Sequence, residues 1–185
     1  MMPTFLTDRS LRNFTVTPVL QGEYRVSNDP EVVFSTILGS CVSVSLFDPV
    51  AKVGGTNHYL LPEGGKENRN NVKYGAFVIE RLINNLLKLG ASRARLTAKL
   101  CGGASVVAGL GDIGARNAQF ARDFMNREGF RVSAEDLGGT HARKLHFHPC
   151  TGEAKVFLIP SDQATGIAAR EKAPTTAIQS DVTIF

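Results

Sequence analysis

The chain has 185 residues, 43% of them hydrophobic, with a formal charge of +4 and three cysteines. That length suits one domain able to bury a core without disulfides or metals, and an odd set of widely spaced cysteines suits a reducing cytoplasm rather than a disulfide framework. No stretch approaches the ~20 apolar residues of a membrane span, the start carries no basic segment followed by an apolar run, and the 21 Lys and Arg are scattered. A cytoplasmic protein is therefore expected, with no membrane insertion and no nucleic-acid partner.

Residues 1–22 carry Pro3 and Pro18 with no sustained periodicity and read as an N-terminal arm of low order, able to dock on the body. Residues 23–160 read as the domain and 161–185, rich in Ala, Thr and charge, as a tail. Glu23–Ser27 and Glu31–Leu38 read as strands separated by the Asn28-Asp29-Pro30 turn. From Val42 to Asp48, Val42, Val44 and Leu46 alternate with Ser43 and Ser45, the period of a half-buried strand. Lys52–Leu61 follows the Asp48-Pro49 turn as its hairpin partner.

The polar stretch Glu63–Asn71 reads as a loop, and Tyr74–Leu89 as a helix with a stripe of Phe77, Val78, Leu82, Ile83, Leu86, Leu87 and Leu89. Arg93–Leu100 alternates like a strand with one wet face. A second helix runs from the Gly111–Asn117 segment through Glu128, with Phe120 and Phe124 one turn apart. Strands at Phe130–Leu137, Ala142–His148 and Ala154–Ile159 complete the domain, the last two joined as a hairpin across Cys150-Thr151-Gly152. Strands before the first helix and alternating elements after it predict an α/β fold: a single-domain layered sandwich of mixed β-sheet with helices packed outside.

Cys41 stands at a strand entrance behind the Gly39-Ser40 turn. A thiol held there, beside turn amides able to donate to an oxyanion, is what a cysteine nucleophile requires, although a small buried cysteine at a strand end has the same signature. The hairpin brings His58 back towards Cys41. A free cysteine is only about 3% thiolate at pH 7, so a histidine in hydrogen-bond reach matters. Cys101 also precedes glycines but lacks a nearby histidine, and is the weaker rival. His141, His146, His148 and Cys150 invite a metal reading, since the alternate spacing of 146, 148 and 150 could put three ligands near one ion and His146 and His148 share a strand face. Pro149 interrupts them, however, and no second ligand pair follows at structural-zinc spacing. Neither Gly102-Gly103 nor Gly138-Gly139 has the spacing of a nucleotide loop, so no metal and no cofactor is expected.

Five motifs occur in one order: Leu38-Gly39-Ser40-Cys41-Val42, Asn57-His58-Tyr59-Leu60-Leu61-Pro62, Gly102-Gly103-Ala104, Ile113-Gly114-Ala115-Arg116-Asn117 and Gly138-Gly139-Thr140-His141-Ala142-Arg143-Lys144. Together they resemble the CheD family, chemoreceptor glutamine deamidases of bacterial and archaeal chemotaxis. The likeness runs from about Arg25 to Pro160. It implies deamidation of glutamines on chemoreceptor cytoplasmic helices through a thioester on Cys41, with His58 as base. Backbone amides near Ser40 and Cys41 would hold the oxyanion. The resemblance also implies a layered sandwich similar to the catalytic domain of cytotoxic necrotizing factor toxins, and a CheC-type phosphatase as partner. In the family a threonine six positions before the cysteine assists the histidine. That position is Ser35 here, with Thr36 beside it, and strand alternation, which separates their faces, is taken to favour Ser35. Two other readings use the same residues: an adaptor that binds receptor and phosphatase, and a cysteine peptidase or transamidase.

Overall fold

The structure, a computed structural model, describes residues 11–61, 69–106 and 112–160. The expectations for the first ten residues, for positions 62–68 and for the tail from Ser161 lie outside the described residues. In chain order the elements are β1 (Thr15–Pro18), β2 (Tyr24–Ser27), β3 (Val32–Leu38), β4 (Val42–Asp48), β5 (Val53–Asn57), α1 (Arg69–Lys88), β6 (Thr97–Gly102), α2 (Ile113–Arg127), β7 (Arg131–Leu137), β8 (Arg143–Phe147) and β9 (Ala154–Leu158).

The strands form two sheets, ordered β1-β3-β8-β9 and β2-β5-β4-β6-β7. Both are mixed, because β1 runs parallel to β3 and β6 parallel to β7 while the other pairs are antiparallel. On β4, Val42, Val44 and Leu46 face the helices, packing with Ile79, Leu82, Ile83 and Leu86 of α1 and Phe124 and Met125 of α2. Each such fully buried aliphatic side chain is worth about 1.5–3 kcal/mol relative to exposure. The opposite face of this sheet meets the second sheet, where Cys41 and Cys101 pack with Leu38 of β3 and Leu145 of β8. The result is a layered α/β sandwich: helices, five-stranded sheet, four-stranded sheet.

Several elements depart from the sequence reading. Thr15–Pro18, inside the stretch read as a loose arm, is the edge strand of the smaller sheet, and Val19 beyond it is buried against Phe34 and Phe147. Four residues are too few to show a period, and parallel pairing is made by the backbone alone. Helix α1 begins at Arg69, within the expected loop, and Phe77, Leu87 and Leu89 flank its buried stripe at 56%, 37% and 40% exposure while Ile79 sits at its centre. Ser43 and Ser45 occupy no wet face. They lie between the sheets with their hydroxyls 2.6 and 2.8 Å from Thr56 Oγ1, so each buried hydroxyl has a partner.

Arg93–Arg95 is a short 3₁₀ turn rather than the start of a strand, because Asp48 organises it. The buried Asp48 carboxylate accepts from the amides of Val50, Ala51 and Ser92 and pairs with Arg95 at 2.9 Å. Burial by itself would raise its pKa, but the Arg95 guanidinium and those three amides outweigh it and hold the carboxyl well below the ordinary value. A depressed folded pKa contributes stability that is fully present above the unfolded value of about 3.9 and is lost as pH falls towards the folded one. Asp48→Asn should therefore cost about 1–3 kcal/mol at pH 7 in urea unfolding. The gap between wild type and variant should narrow as the titration is repeated below about pH 4.

Candidate active site

The register that pairs Ser45 with Thr56 continues through the isolated Val42–Tyr59 bridge. Position 58 therefore stands opposite Ser43, and Cys41 lies one diagonal step away on the same inter-sheet face. Diagonal neighbours are about 7–8 Å apart at the backbone, a span that a thiol and an imidazole can bridge. Local alternation alone delivers this: residues 41 and 43 share a face, and 56 and 58 on the partner strand share the same one. The His58 backbone is fixed on both sides, its N–H donating to Glu23 O at 3.0 Å and its carbonyl accepting from Gly22 N at 2.7 Å.

Thr36, on β3 of the other sheet, meets the imidazole. Its Oγ1 lies 2.8 Å from His58 Nδ1 and 2.8 Å from Val19 O. A hydroxyl has one proton, and a carbonyl can only accept, so Thr36 spends its proton on Val19. Its remaining capacity towards His58 is as acceptor, so Nδ1 carries the hydrogen. Val19 O, 3.4 Å from the same nitrogen, is a second acceptor beside it. The neutral ring is thereby held as the Nδ1–H tautomer, with the lone pair on Nε2.

Ser35 does not share this position. Alternation does separate the two residues, as expected, but it sends Thr36 inward, at 4% exposure, and leaves Ser35 half-buried on the outer face of its sheet, paired with His146 of β8. Of the two hydroxyls expected near the histidine, the structure places Thr36 and not Ser35 against the ring. The inward set on β3, Phe34, Thr36 and Leu38, is fixed by the apolar neighbours on either side of Thr36.

The turn carrying Cys41 is clamped from behind. The carbonyls of Gly39, Ser40 and Cys41 accept from Ala104 N at 2.8 Å, Asn117 Nδ2 at 2.9 Å and Gly103 N at 2.7 Å. Gly102, at φ +116°, allows this approach, since a Cβ there would lie 2.2 Å from Cys41 O. In a trans peptide N–H and C=O point in opposite directions, so the amides of Ser40 and Cys41 face away from Ala104 and Asn117. Asn117 is fully buried on α2. It also accepts from Leu61 N at 2.9 Å through Oδ1 and from the Tyr59 hydroxyl at 2.8 Å through its backbone carbonyl. One side chain thus ties the cysteine turn to the segment beyond His58; the sequence marks it only as part of a motif.

Cys41 itself is fully buried, and its thiol donates to Gln21 Oε1 at 3.6 Å. Burial, and then a negative charge on Cys41, push the phenols of Tyr59 and Tyr74 upward, so both remain protonated neighbours of the sulfur. Cys101 lies opposite Ser43 on the same face. Burial pushes its thiol up to about 12, Arg143 pulling it down and Asp136 adding to the rise, so it stays a thiol at neutral pH. His146 is on the outer face, edge-on to Phe157, and His148 lies against Phe14 with Nε2 3.0 Å from Pro30 O. Among the described residues no three His, Cys, Asp or Glu gather as a metal cluster.

The sequence profile of the CheD family, described as chemotactic sensory transduction, matches residues 60–157. A Zymomonas mobilis protein named probable chemoreceptor glutamine deamidase CheD is 45% identical over 179 residues, covering 95% of this chain and 96% of that one. One of the same name from Cereibacter sphaeroides is 50% identical over 146 residues, 78% of this chain and 73% of its own. Among solved structures, a Neisseria meningitidis protein of family DUF152 matches at TM-score 0.46 and 13% identity over 71% of this chain and 65% of that one, too loose a likeness to carry an argument.

The tautomer assignment has its own test. In ¹⁵N-labelled protein at neutral pH, His58 should show a protonated Nδ1 and an unprotonated Nε2. Thr36→Val should erase the Nδ1 preference, and Ser35→Ala should leave it in place; the reverse pattern would return the role to Ser35.

Proposed function

The chain belongs to the CheD family, and on that premise we propose that it hydrolyses the side-chain carboxamide of specific glutamines in chemoreceptor cytoplasmic helices, releasing ammonia and leaving glutamate. The observation that carries this reading is the Thr36–His58 hydrogen bond, which leaves the Nε2 lone pair on a ring whose neighbour on the same face is Cys41.

Cys41 is the proposed nucleophile. Its proton passes to His58 Nε2, and the imidazolium so formed keeps its Nδ1–H on Thr36 Oγ1 and Val19 O, two acceptors already in place. The thiolate adds to the glutamine carbonyl carbon and the C=O electron pair moves to oxygen. The amides of Ser40 and Cys41 are the proposed oxyanion donors, supported by the commitment of the paired carbonyls to Ala104 and Asn117. Nε2 then returns its proton to the amide nitrogen, the C–N bond breaks and ammonia leaves behind a thioester. Water, deprotonated by Nε2, attacks that thioester; the sulfur departs as thiolate and regains the proton.

A receptor is a substrate whose charge this reaction changes. Each turnover replaces a neutral amide by a carboxylate, which alters repulsion between signalling helices and so biases their state. The reaction would take place in the cytoplasm, where receptor signalling helices lie. No helix among the described residues is long and apolar enough to cross a membrane.

Incubation with a receptor cytoplasmic fragment should add about one mass unit at particular glutamines, with ammonia released in equal amount and no peptide cleaved or amine incorporated. Cys41→Ala should lower the rate about a thousandfold or more, and Thr36→Val about 10–100-fold, mostly in kcat. Deamidation at the wild-type rate by Cys41→Ala would overturn the reading. Restoration of chemotaxis by that inactive variant would instead make binding of the receptor, or of a CheC-type phosphatase, the protein's main task.

A further inference from the structure

Gln21 has no part in the sequence reading, yet its carboxamide accepts the hydrogen of the Cys41 thiol at 3.6 Å. The backbone around it is held firmly. Val19 N donates to Ser35 O at 2.9 Å, Val19 O accepts from Thr36, Gly22 N donates to His58 O at 2.7 Å, and Glu23 O accepts from His58 N at 3.0 Å. The segment that locks the histidine is therefore the one that delivers Gln21 to the cysteine. Gln21 is half-buried where Cys41 is wholly so.

A carboxamide suits two successive states of that sulfur. While the thiol holds its proton, Oε1 accepts it, as observed. Once the proton has moved to His58, an oxygen facing a thiolate is repelled, and a half-turn about the broad, nearly two-fold terminal torsion brings the amide NH₂ to the same place. There it donates to the thiolate. When the sulfur has joined the substrate carbonyl carbon, the new oxyanion is two bonds from it, and the same donor can turn to that oxygen.

We propose that Gln21 is a catalytic residue of this site, its side-chain amide donating first to the Cys41 thiolate and then to the oxyanion of the tetrahedral intermediate, beside the Ser40 and Cys41 amides. This rests on the deamidase reading and extends it by one side-chain donor, the kind of group whose loss commonly costs about 10²–10³ in kcat when it is the principal one.

The test uses the full chain with a receptor fragment, and Gln21→Ala, Gln21→Glu and Cys41→Ala variants. Gln21→Ala should lower kcat about 10–100-fold with KM within about threefold, the backbone donors remaining. Alkylation of Cys41 by iodoacetamide, which forms no oxyanion, should persist in Gln21→Ala. Its pH midpoint should rise from wild type to Gln21→Ala and again to Gln21→Glu, where a carboxylate faces the sulfur. Those shifts report on the thiolate directly and need no turnover, and a variant that fails to fold is told apart because the buried Cys101 would then be alkylated as well, with the ordinary thiol midpoint of about 8.5. Wild-type kcat and midpoint in Gln21→Ala, with Cys41-dependent deamidation intact, would overturn the role of Gln21 alone. A rise in kcat would overturn it too, marking the side chain as a mere cover. A gain of one mass unit at Gln21 itself in wild type but not in Cys41→Ala would make it a substrate and equally end the proposal. Absence of receptor deamidation by the wild type would instead bring down the underlying reading.

Discussion

The hydrogen bond between Thr36 and His58 is the contact on which the site depends, because it joins the two sheets at the place where the chemistry is proposed. Thr36 belongs to β3 of the smaller sheet, and His58 stands just beyond β5 of the larger. Without it, the ring could turn about its own bonds and offer either nitrogen to the sulfur. With it, and with the Thr36 proton committed to Val19 O, one tautomer and one ring angle are selected before any substrate arrives. The selection depends on counting protons rather than on distance alone, since a hydroxyl that has given its hydrogen to a carbonyl can only accept from the imidazole.

Behind the site, a second constraint fixes the turn that carries Cys41. Three consecutive carbonyls, from Gly39 to Cys41, are each taken by a partner from the β6–α2 side. Gly102 is required because the backbone there comes closer to Cys41 O than any Cβ would permit, and its φ of +116° is one that side-chain-bearing residues avoid. The same clamp sets where the opposing amides point. Position of the sulfur and direction of the donors are thus consequences of one set of bonds, and Asn117 extends that set to the strand end carrying His58.

Much of this was legible from residue types in order. The alternation of Val42–Asp48 and the turn after it predicted a hairpin, and the hairpin's register by itself puts positions 41 and 58 on one face. What sequence periodicity could not show is what lay across that face. Ser43 and Ser45 look like residues meant for water, and only the second sheet, with Thr56 satisfying their hydroxyls, makes them interior. The placement of Thr36 rather than Ser35 against the ring was hidden for a related reason. Alternation states that neighbours point apart but not which points inward, and that is decided by Phe34 and Leu38, whose apolar side chains share the parity of Thr36. Gln21 lay in a segment with no period to read, because its order comes from backbone bonds to His58 and Ser35 that any sequence able to reach them could make.

Cys41 and Cys101 let the surroundings be separated from the thiol itself. They lie in one buried cluster, on adjacent strands and on the same face, with 0% and 4% exposure. Burial alone makes a cysteine inert, as it does for Cys101, whose thiol is pushed up to about 12. Packing therefore cannot distinguish a nucleophile from a filler. What differs is the polar company: Cys101 is influenced by the opposed and mutually paired charges of Arg143 and Asp136, whereas Cys41 has a carboxamide on its sulfur and an oriented imidazole a diagonal step away. Burial of the proposed nucleophile is then compatible with the proposed reaction, because the imidazole that would receive its proton is already oriented and the Gln21 carboxamide needs only a half-turn to offer a donor to its charge.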